Sequence, residues 1–293
     1  MLDQAEKLRQ LVNNKAGSVN SPKIITVTSG KGGVGKSNFV VNLAITLQKM
    51  GKKVLILDAD IGMGNDDVLM GVMPRYSIYD IIFNNKIIEE VLIKGPFGVK
   101  LLPAGTAITN LEGITENQIE KFIKNLSTLE ELDYIIMDTG AGVNRSVLGF
   151  IACSEELIIL TTPEPTAITD AYSLLKAVSH FNIKQKAKLV VNKAIDQEDG
   201  NITYNKFENA VNRFLRIDLE YLGSIQEDRK VIQAVRRQMP FVLAYPNCDA
   251  AKDIANIAKN ILGDVKSYND NVSVEGFFKN YSVYFLRGMS ILE

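Results

Sequence analysis

Gly30-Lys31-Gly32-Gly33-Val34-Gly35-Lys36-Ser37 constrains the fold of this chain more than any other stretch. An apolar run, Ile24-Ile25-Thr26-Val27-Thr28-Ser29, precedes it, and Phe39, Val40, Leu43, Ala44 and Leu47 follow at helical spacing. Strand, glycine loop and helix start, in that order, are the setting of a phosphate-binding P-loop. The glycines let successive backbone N–H groups turn inward around phosphate oxygens. The helix N-terminus adds partial positive charge. The cradle runs from Gly30 through Lys31, Gly32, Gly33, Val34, Gly35, Lys36 and Ser37 to Asn38. In it, Lys36 is expected to reach the β- and γ-phosphates and the Ser37 hydroxyl to bind Mg²⁺.

The rest of the chain repeats the strand–helix alternation. Continuous apolar runs at 53–58, 99–102, 134–138, 156–161, 187–192 and 220–223 read as buried strands. Helical patterns lie between them, for example at 116–126, 167–178 and 205–214. This predicts an α/β fold, a mostly parallel doubly wound sheet with helices on both faces. No internal repeat and no second domain with its own core is expected. Residues 13–22 and 263–273 are polar and turn-rich. They divide the chain into an N-terminal helix and linker (1–22), a core domain (23–262) and a C-terminal linker and helix (263–293).

Composition removes several classes of function. The net charge of -1 gives no global basic field for nucleic acid, and no direct nucleic-acid partner is expected. The two cysteines, Cys153 and Cys248, are far apart with no Cys-x-x-Cys, which fits a reducing compartment and no zinc or iron–sulfur site. His180 is the only histidine, so histidine triads and clusters are excluded. Residues 1–12 are charged and helical in pattern rather than a signal peptide, and no apolar run spans a bilayer.

Ligands of such sheets sit at the C-terminal ends of the strands, and two of those ends carry acids. One strand ends in Asp58-Ala59-Asp60-Ile61-Gly62, another in Asp138-Thr139-Gly140-Ala141-Gly142. A carboxylate placed like Asp138 can hold Mg²⁺ through a water. With Lys31, the second lysine of the loop, these motifs resemble the deviant Walker A ATPases of the MinD/ParA family, and within it the flagellar FlhG type. Thr162-Pro163-Glu164-Pro165-Thr166-Ala167 matches as well.

The resemblance implies an ATPase that cycles between ATP and ADP with Mg²⁺ and forms an ATP-sandwiched homodimer. Lys31 would reach the partner's nucleotide, Asp60 would position the attacking water, and Asp58 would support the Mg²⁺ shell beside Ser37 and Asp138. Lys31, Lys36 and Asp60 are thus the expected catalytic set. Asn192 would read the adenine edge, and the turn holding Gln226 would also contact the base, although relatives often carry proline at that place.

Both ends extend the resemblance. Leu2, Ala5, Leu8, Leu11 and Val12 make an apolar helical stripe, whose packing on the core domain the pattern leaves open. Asp3, Gln4, Ala5, Leu8 and Arg9 resemble the segment with which the FlhG type activates an FlhF-type GTPase. In the tail, Phe277, Phe278, Tyr281, Tyr284 and Phe285 share one face of an amphipathic helix. The loose linker and the density of aromatics favour a membrane interface, with docking on the core as the alternative. The implied function is control of flagellar number and placement, with motor-switch (C-ring) components as further partners. The location is cytoplasmic, with ATP-dependent attachment to the inner face of the membrane. The alternatives are a MinD-type division-site regulator and a largely non-catalytic module that titrates a flagellar partner.

Overall fold

The computed structural model describes residues 22–60, 64–103, 118, 129, 132–263 and 276. The expected N-terminal activator segment and the aromatic residues of the C-terminal helix lie outside these residues. Of the helix expected at 116–126 only Gln118 is described, and it is helical.

The chain builds one sheet. Its strands are β1 (Lys23–Ser29), β2 (Val54–Ala59), β3 (Ile93–Lys94), β4 (Lys100–Leu102), β5 (Tyr134–Ala141), β6 (Glu156–Thr161), β7 (Lys186–Ala194) and β8 (Asp218–Gln226). They lie in the order β3-β4-β2-β5-β1-β6-β7-β8. All neighbours pair in parallel except β3 with β4. The helices are α1 (Lys36–Lys49), α2 (Asp66–Met70), α3 (Ile78–Phe83), α4 (Ile88–Val91), α5 (Arg145–Cys153), α6 (Pro165–His180), α7 (Gln197–Phe214), α8 (Arg229–Arg236), α9 (Phe241–Ala244) and α10 (Asp249–Gly263).

Alternation along the strands explains the two covered faces. Ile56, Ile136, Ile158 and Val190 point to one side, against Phe39, Val40 and Leu43 of α1 and Ile254, Ile257 and Ile261 of α10. Leu57 and Met137 point to the other side with Phe150 of α5, as do Ile159 and Leu189 with Leu174 of α6 and Phe207 of α7. Each such aliphatic side chain contributes about 1.5–3 kcal/mol by leaving water. Strands buried on both faces lose their polar alternation, which is why they read as continuous apolar runs.

Three elements differ from the sequence reading. Helix α7 begins at Gln197, eight residues before the expected 205. Its start is fixed by Asp196, whose side chain accepts the Asp199 N–H. Gly200 lets it lie against β8, where an added Cβ would come within 2.5 Å of Ser224. Strand β8 runs nine residues rather than four. Side chains take up main-chain groups of β8: Tyr204 donates to the Leu219 carbonyl at 3.1 Å, Asn260 to the Leu222 carbonyl at 2.9 Å, and the Gln226 N–H donates to Asp253 at 2.9 Å. The antiparallel β3 is only two residues long, too short for a period to show.

Charge gathers at the end of the sheet opposite the P-loop. Glu156 pairs with Lys23 and Lys188, and Glu155 accepts the Ile24 N–H at 3.2 Å. Burial, aided by the neighbouring Glu156, pushes the Glu155 carboxyl up to about 7, against the opposing pull of the Ile24 N–H, Lys23 and Lys184. Between its ordinary 4.5 and about 7 the folded chain therefore holds a proton that the unfolded chain has released. Its contribution is full below that window and lost as pH rises through it. Wild-type protein should thus lose more stability between pH 5 and pH 8 than Glu155→Gln, measured by urea unfolding at both values. Equal losses in the two proteins would remove Glu155 from the pH response.

Candidate nucleotide site

The loop between β1 and α1 is held by contacts from distant strands. Gly33 and Gly35 have positive φ (80° and 94°), the left-handed region that favours glycine. An added Cβ on Gly30 would sit 2.1 Å from the Asp170 carbonyl carbon, so no larger residue fits between the loop and α6. From the end of β7, the Asn192 amide donates to the Val34 carbonyl at 2.7 Å and the Lys193 ammonium to the Gly33 carbonyl at 2.9 Å. The Ser29 hydroxyl donates to the Lys31 carbonyl at 2.9 Å. These bonds occupy loop carbonyls, the groups that would otherwise repel a phosphate.

The two lysines of the loop do different work. Lys36 is buried and donates to Asp138 Oδ1 at 2.8 Å. Lys31 is more than a third exposed and donates to Glu164 Oε1 and Thr166 Oγ1, both at 2.7 Å, at the start of α6. Lys31 therefore takes no part in neutralising the acids below Lys36.

Those acids form one cluster. Asp58 and Asp138 are paired neighbours on β2 and β5, so parallel register sets their side chains next to each other on one face. Both are buried. Burial first, and the Asp138 charge second, push the Asp58 carboxyl up to about 7. Asp60, half-buried two residues beyond and just past the end of β2, is also raised, chiefly by burial, while Lys36 draws it back. Gly64 leaves room for Asp58, since a Cβ there would meet Asp58 Oδ2 at 2.0 Å.

Sequence reasoning missed Asp66, the first residue of α2. It is wholly buried, neither of its carboxylate oxygens has a hydrogen-bond partner among the described residues, and burial first, with the Asp138 and Asp58 charges after it, pushes its pKa well above the usual carboxylate range. The only sequence signal was the acidic pair Asp66-Asp67 closely following Asp60. Lys193 was also missed, although it adjoins Asn192.

Above the cluster opens a cleft of about 860 Å³. It is lined by Lys31, Gly32, Gly33, Val34, Gly35, Lys36, Ser37, Asn38, Asp60, Asn192 and Gln226. The expected cradle from Lys31 to Asn38, the expected water-positioning acid and both expected base contacts thus share one cavity, while Gly30 packs against α6 outside its lining. Asp58 and Asp138 lie buried beneath it. The volume suits a small-molecule ligand. Among the described residues no three acidic, cysteine or histidine side chains are set to hold a metal ion by themselves. The donors are nevertheless all oxygens, the Ser37 hydroxyl with the Asp58 and Asp138 carboxylates, and Asp66 is an orphaned buried carboxylate. That set fits Mg²⁺, a cation usually held by one or two carboxylates together with substrate phosphates.

A glycine loop capping a helix, a buried lysine and acids at adjoining strand ends define a P-loop nucleotide-binding protein. Comparison with known proteins narrows this. The model of the ParA family, described as "NUBPL iron-transfer P-loop NTPase", matches residues 20–262. The chain is 34% identical to the antiactivator FleN of Pseudomonas aeruginosa, over 84% of its own length and 88% of that protein. It is 33% identical to the flagellum site-determining protein YlxH of Helicobacter pylori, over 97% and 99%. Its structure matches MinD of the Aquifex aeolicus MinC:MinD complex with a TM-score of 0.66 and 28% identity, over 84% of this chain and 98% of that one. The chain belongs to the MinD/ParA family of P-loop ATPases, and its resemblance is to the flagellar FleN and YlxH type within it.

The Lys36–Asp138 pair gives a direct test of the site. Removing one partner of a buried pair strands the other charge, at a cost of about 3–5 kcal/mol. Lys36→Met should destabilise by that order in urea unfolding and abolish ATP binding. Adding Asp138→Asn should restore most of the stability and none of the binding.

Proposed function

We propose that the protein is an ATP-driven dimerisation switch that controls flagellar number and placement. The observation that carries this reading is the separation of the two loop lysines. Lys36 is committed to the acids of its own site, while Lys31 stands at the rim with a partly exposed ammonium. A rim lysine is free to exchange Glu164 and Thr166 for the phosphates of a second copy. The description of YlxH as a flagellum site-determining protein supports the flagellar assignment.

In this reading the chain's residues act by position and charge. Lys36 leaves Asp138 for the β- and γ-phosphates of ATP. Asp138 with Asp58 and Ser37 would hold Mg²⁺, which would supply charge neutralisation of the phosphates. The N–H groups of the loop hold the phosphate oxygens. Asp60, in the wall of the cleft, orients the attacking water. Asn192 and Gln226 hold the base. Hydrolysis to ADP separates the two copies.

The ends of the chain would couple the switch to partners. Asp3, Gln4, Ala5, Leu8 and Arg9 would stimulate an FlhF-type GTPase, and motor-switch components would be further partners. Phe277, Phe278, Tyr281, Tyr284 and Phe285 would enter the membrane interface. One such helix binds weakly and reversibly. Two joined in a dimer raise avidity by about 10²- to 10⁴-fold, which makes attachment depend on ATP. No described helix is long and apolar enough to cross a membrane. Iron transfer, named in the family description, has little chemical support here. Cys153 and Cys248 are the only cysteines, and burial pushes the Cys153 thiol up to about 12.

Size-exclusion chromatography with ATP and ADP tests the switch. Asp60→Ala should bind ATP and accumulate as a dimer, while Lys31→Ala should bind ATP as a monomer. A monomeric Asp60→Ala protein with ATP, or a normal Lys31→Ala dimer, would overturn the sandwich mechanism.

The N-terminal segment is tested apart from the core. A truncation beginning at Ser21 should keep ATP binding and lose stimulation of an FlhF-type GTPase, while a peptide of residues 1–20 should stimulate on its own. Equal stimulation by the full chain and the truncation would refute this role.

A further inference from the structure

The base end of the cleft carries two amides, Asn192 and Gln226, each half-buried in its wall. An amide can offer a ligand either a donor or an acceptor, and the choice depends on what holds its other end. Here one N–H of each amide is already committed, which fixes the way the amide faces. Asn192 Nδ2 donates to the Val34 carbonyl at 2.7 Å. Gln226 Nε2 donates to Asp253 Oδ2 at 3.4 Å, and the Gln226 main-chain N–H reaches the same oxygen at 2.9 Å. Reversing either amide would set oxygen against oxygen. Neither Asn192 Oδ1 nor Gln226 Oε1 has a partner among the described residues.

Asp253 lies on α10, outside the strand ends, and is almost fully buried. Its other oxygen, Oδ1, accepts from Gln197 Nε2 at 2.8 Å, and Gln197 Oε1 in turn accepts from the Ser224 hydroxyl at 2.9 Å. An ionised carboxylate accepts hydrogen bonds and donates none. One such group therefore dictates the polarity of both glutamines, and through them of the whole edge from α7 to β8.

We propose that Asp253 is a positioning residue for base selectivity: by binding the nitrogen of Gln226 it leaves an acceptor facing the base, beside the acceptor of Asn192, so that the cleft selects a purine with an exocyclic amine. Adenine presents an amine donor where guanine presents the O6 acceptor. The adenine amine meets an oxygen; guanine O6 meets a repelling one. A buried acceptor facing the wrong group carries a real penalty, and sites of this kind discriminate more sharply than apolar pockets do. The selectivity thus resides in a carboxylate that never touches the ligand. This rests on the nucleotide reading given above.

The test is titration of the full chain, with Mg²⁺, by fluorescent N-methylanthraniloyl derivatives of ATP and GTP. Wild type should bind the ATP derivative at least about tenfold more tightly, the equivalent of one well-placed hydrogen bond. In Asp253→Asn the replacement amide can face either way, so Gln226 can turn its nitrogen to guanine O6. The ratio of ATP to GTP affinity should fall about tenfold, with GTP binding strengthened while ATP binding weakens. Simple loosening of the fold would weaken both together. Gln226→Met, which keeps the length and removes the amide, should lose the ATP preference without the gain in GTP binding, and it decides the matter if Asp253→Asn fails to fold. An unchanged ratio in Gln226→Met, or parallel weakening of both nucleotides in a folded Asp253→Asn, overturns the role of Asp253 while leaving the ATPase reading intact. A wild type that binds neither nucleotide overturns both.

Discussion

The buried pair of Lys36 and Asp138 is the interaction on which this molecule turns. Four carboxylates, Asp58, Asp60, Asp66 and Asp138, stand at adjoining ends of the sheet or just beyond them, and one buried ammonium serves them. Such a group is costly to bury, since desolvation penalises each charge. The chain reduces the cost by letting Asp58 and Asp66 hold protons more tightly than free carboxylates do. Without ligand the site is thus short of positive charge. Calling Lys36 away to a nucleotide increases the shortage, and a divalent cation relieves it. Nucleotide and cation would therefore bind together for electrostatic reasons, before any question of chemistry arises.

The loop that delivers Lys36 owes little of its precision to its own residues. Its backbone is pinned by α6 at Gly30 and by β7 at Val34 and Gly33. These contacts come from parts of the chain about 130 to 160 residues downstream. A site built on packed strands is more exact than one built on loops. Here even the flexible part has been tied to the scaffold. At the rim, Lys31 is anchored through its side chain to Glu164 and Thr166, where a bond between partly exposed groups is cheap to exchange.

Much of this was legible in the sequence. Parallel strands buried on both faces announce themselves as apolar runs, so the sheet and its P-loop could be read directly. Asp58 and Asp138 were readable because each ends such a run. What the sequence hid depends on tertiary contact. Asp66 and Lys193 carry no periodic signal. Helix α7 was read short because Gly200 and its polar neighbours look like a loop, while the glycine is there to admit β8. Gln226 could be singled out by its place in a turn, but nothing in the sequence ties it to Asp253, 27 residues away, which accepts from it.

The treatment of the sheet's two edges has a consequence for self-association. A strand at the edge of a sheet is a template on which another chain can build. At one edge β3 offers two antiparallel residues, too few to nucleate a ladder. At the other, Tyr204, Asn260 and Asp253 have already claimed main-chain groups of β8. Continuous growth of the sheet from copy to copy is blocked at both sides, and with it the open-ended fibre that edge pairing produces. A protein with edges treated this way resists the strand-by-strand stacking that turns crowded chains into β-aggregate.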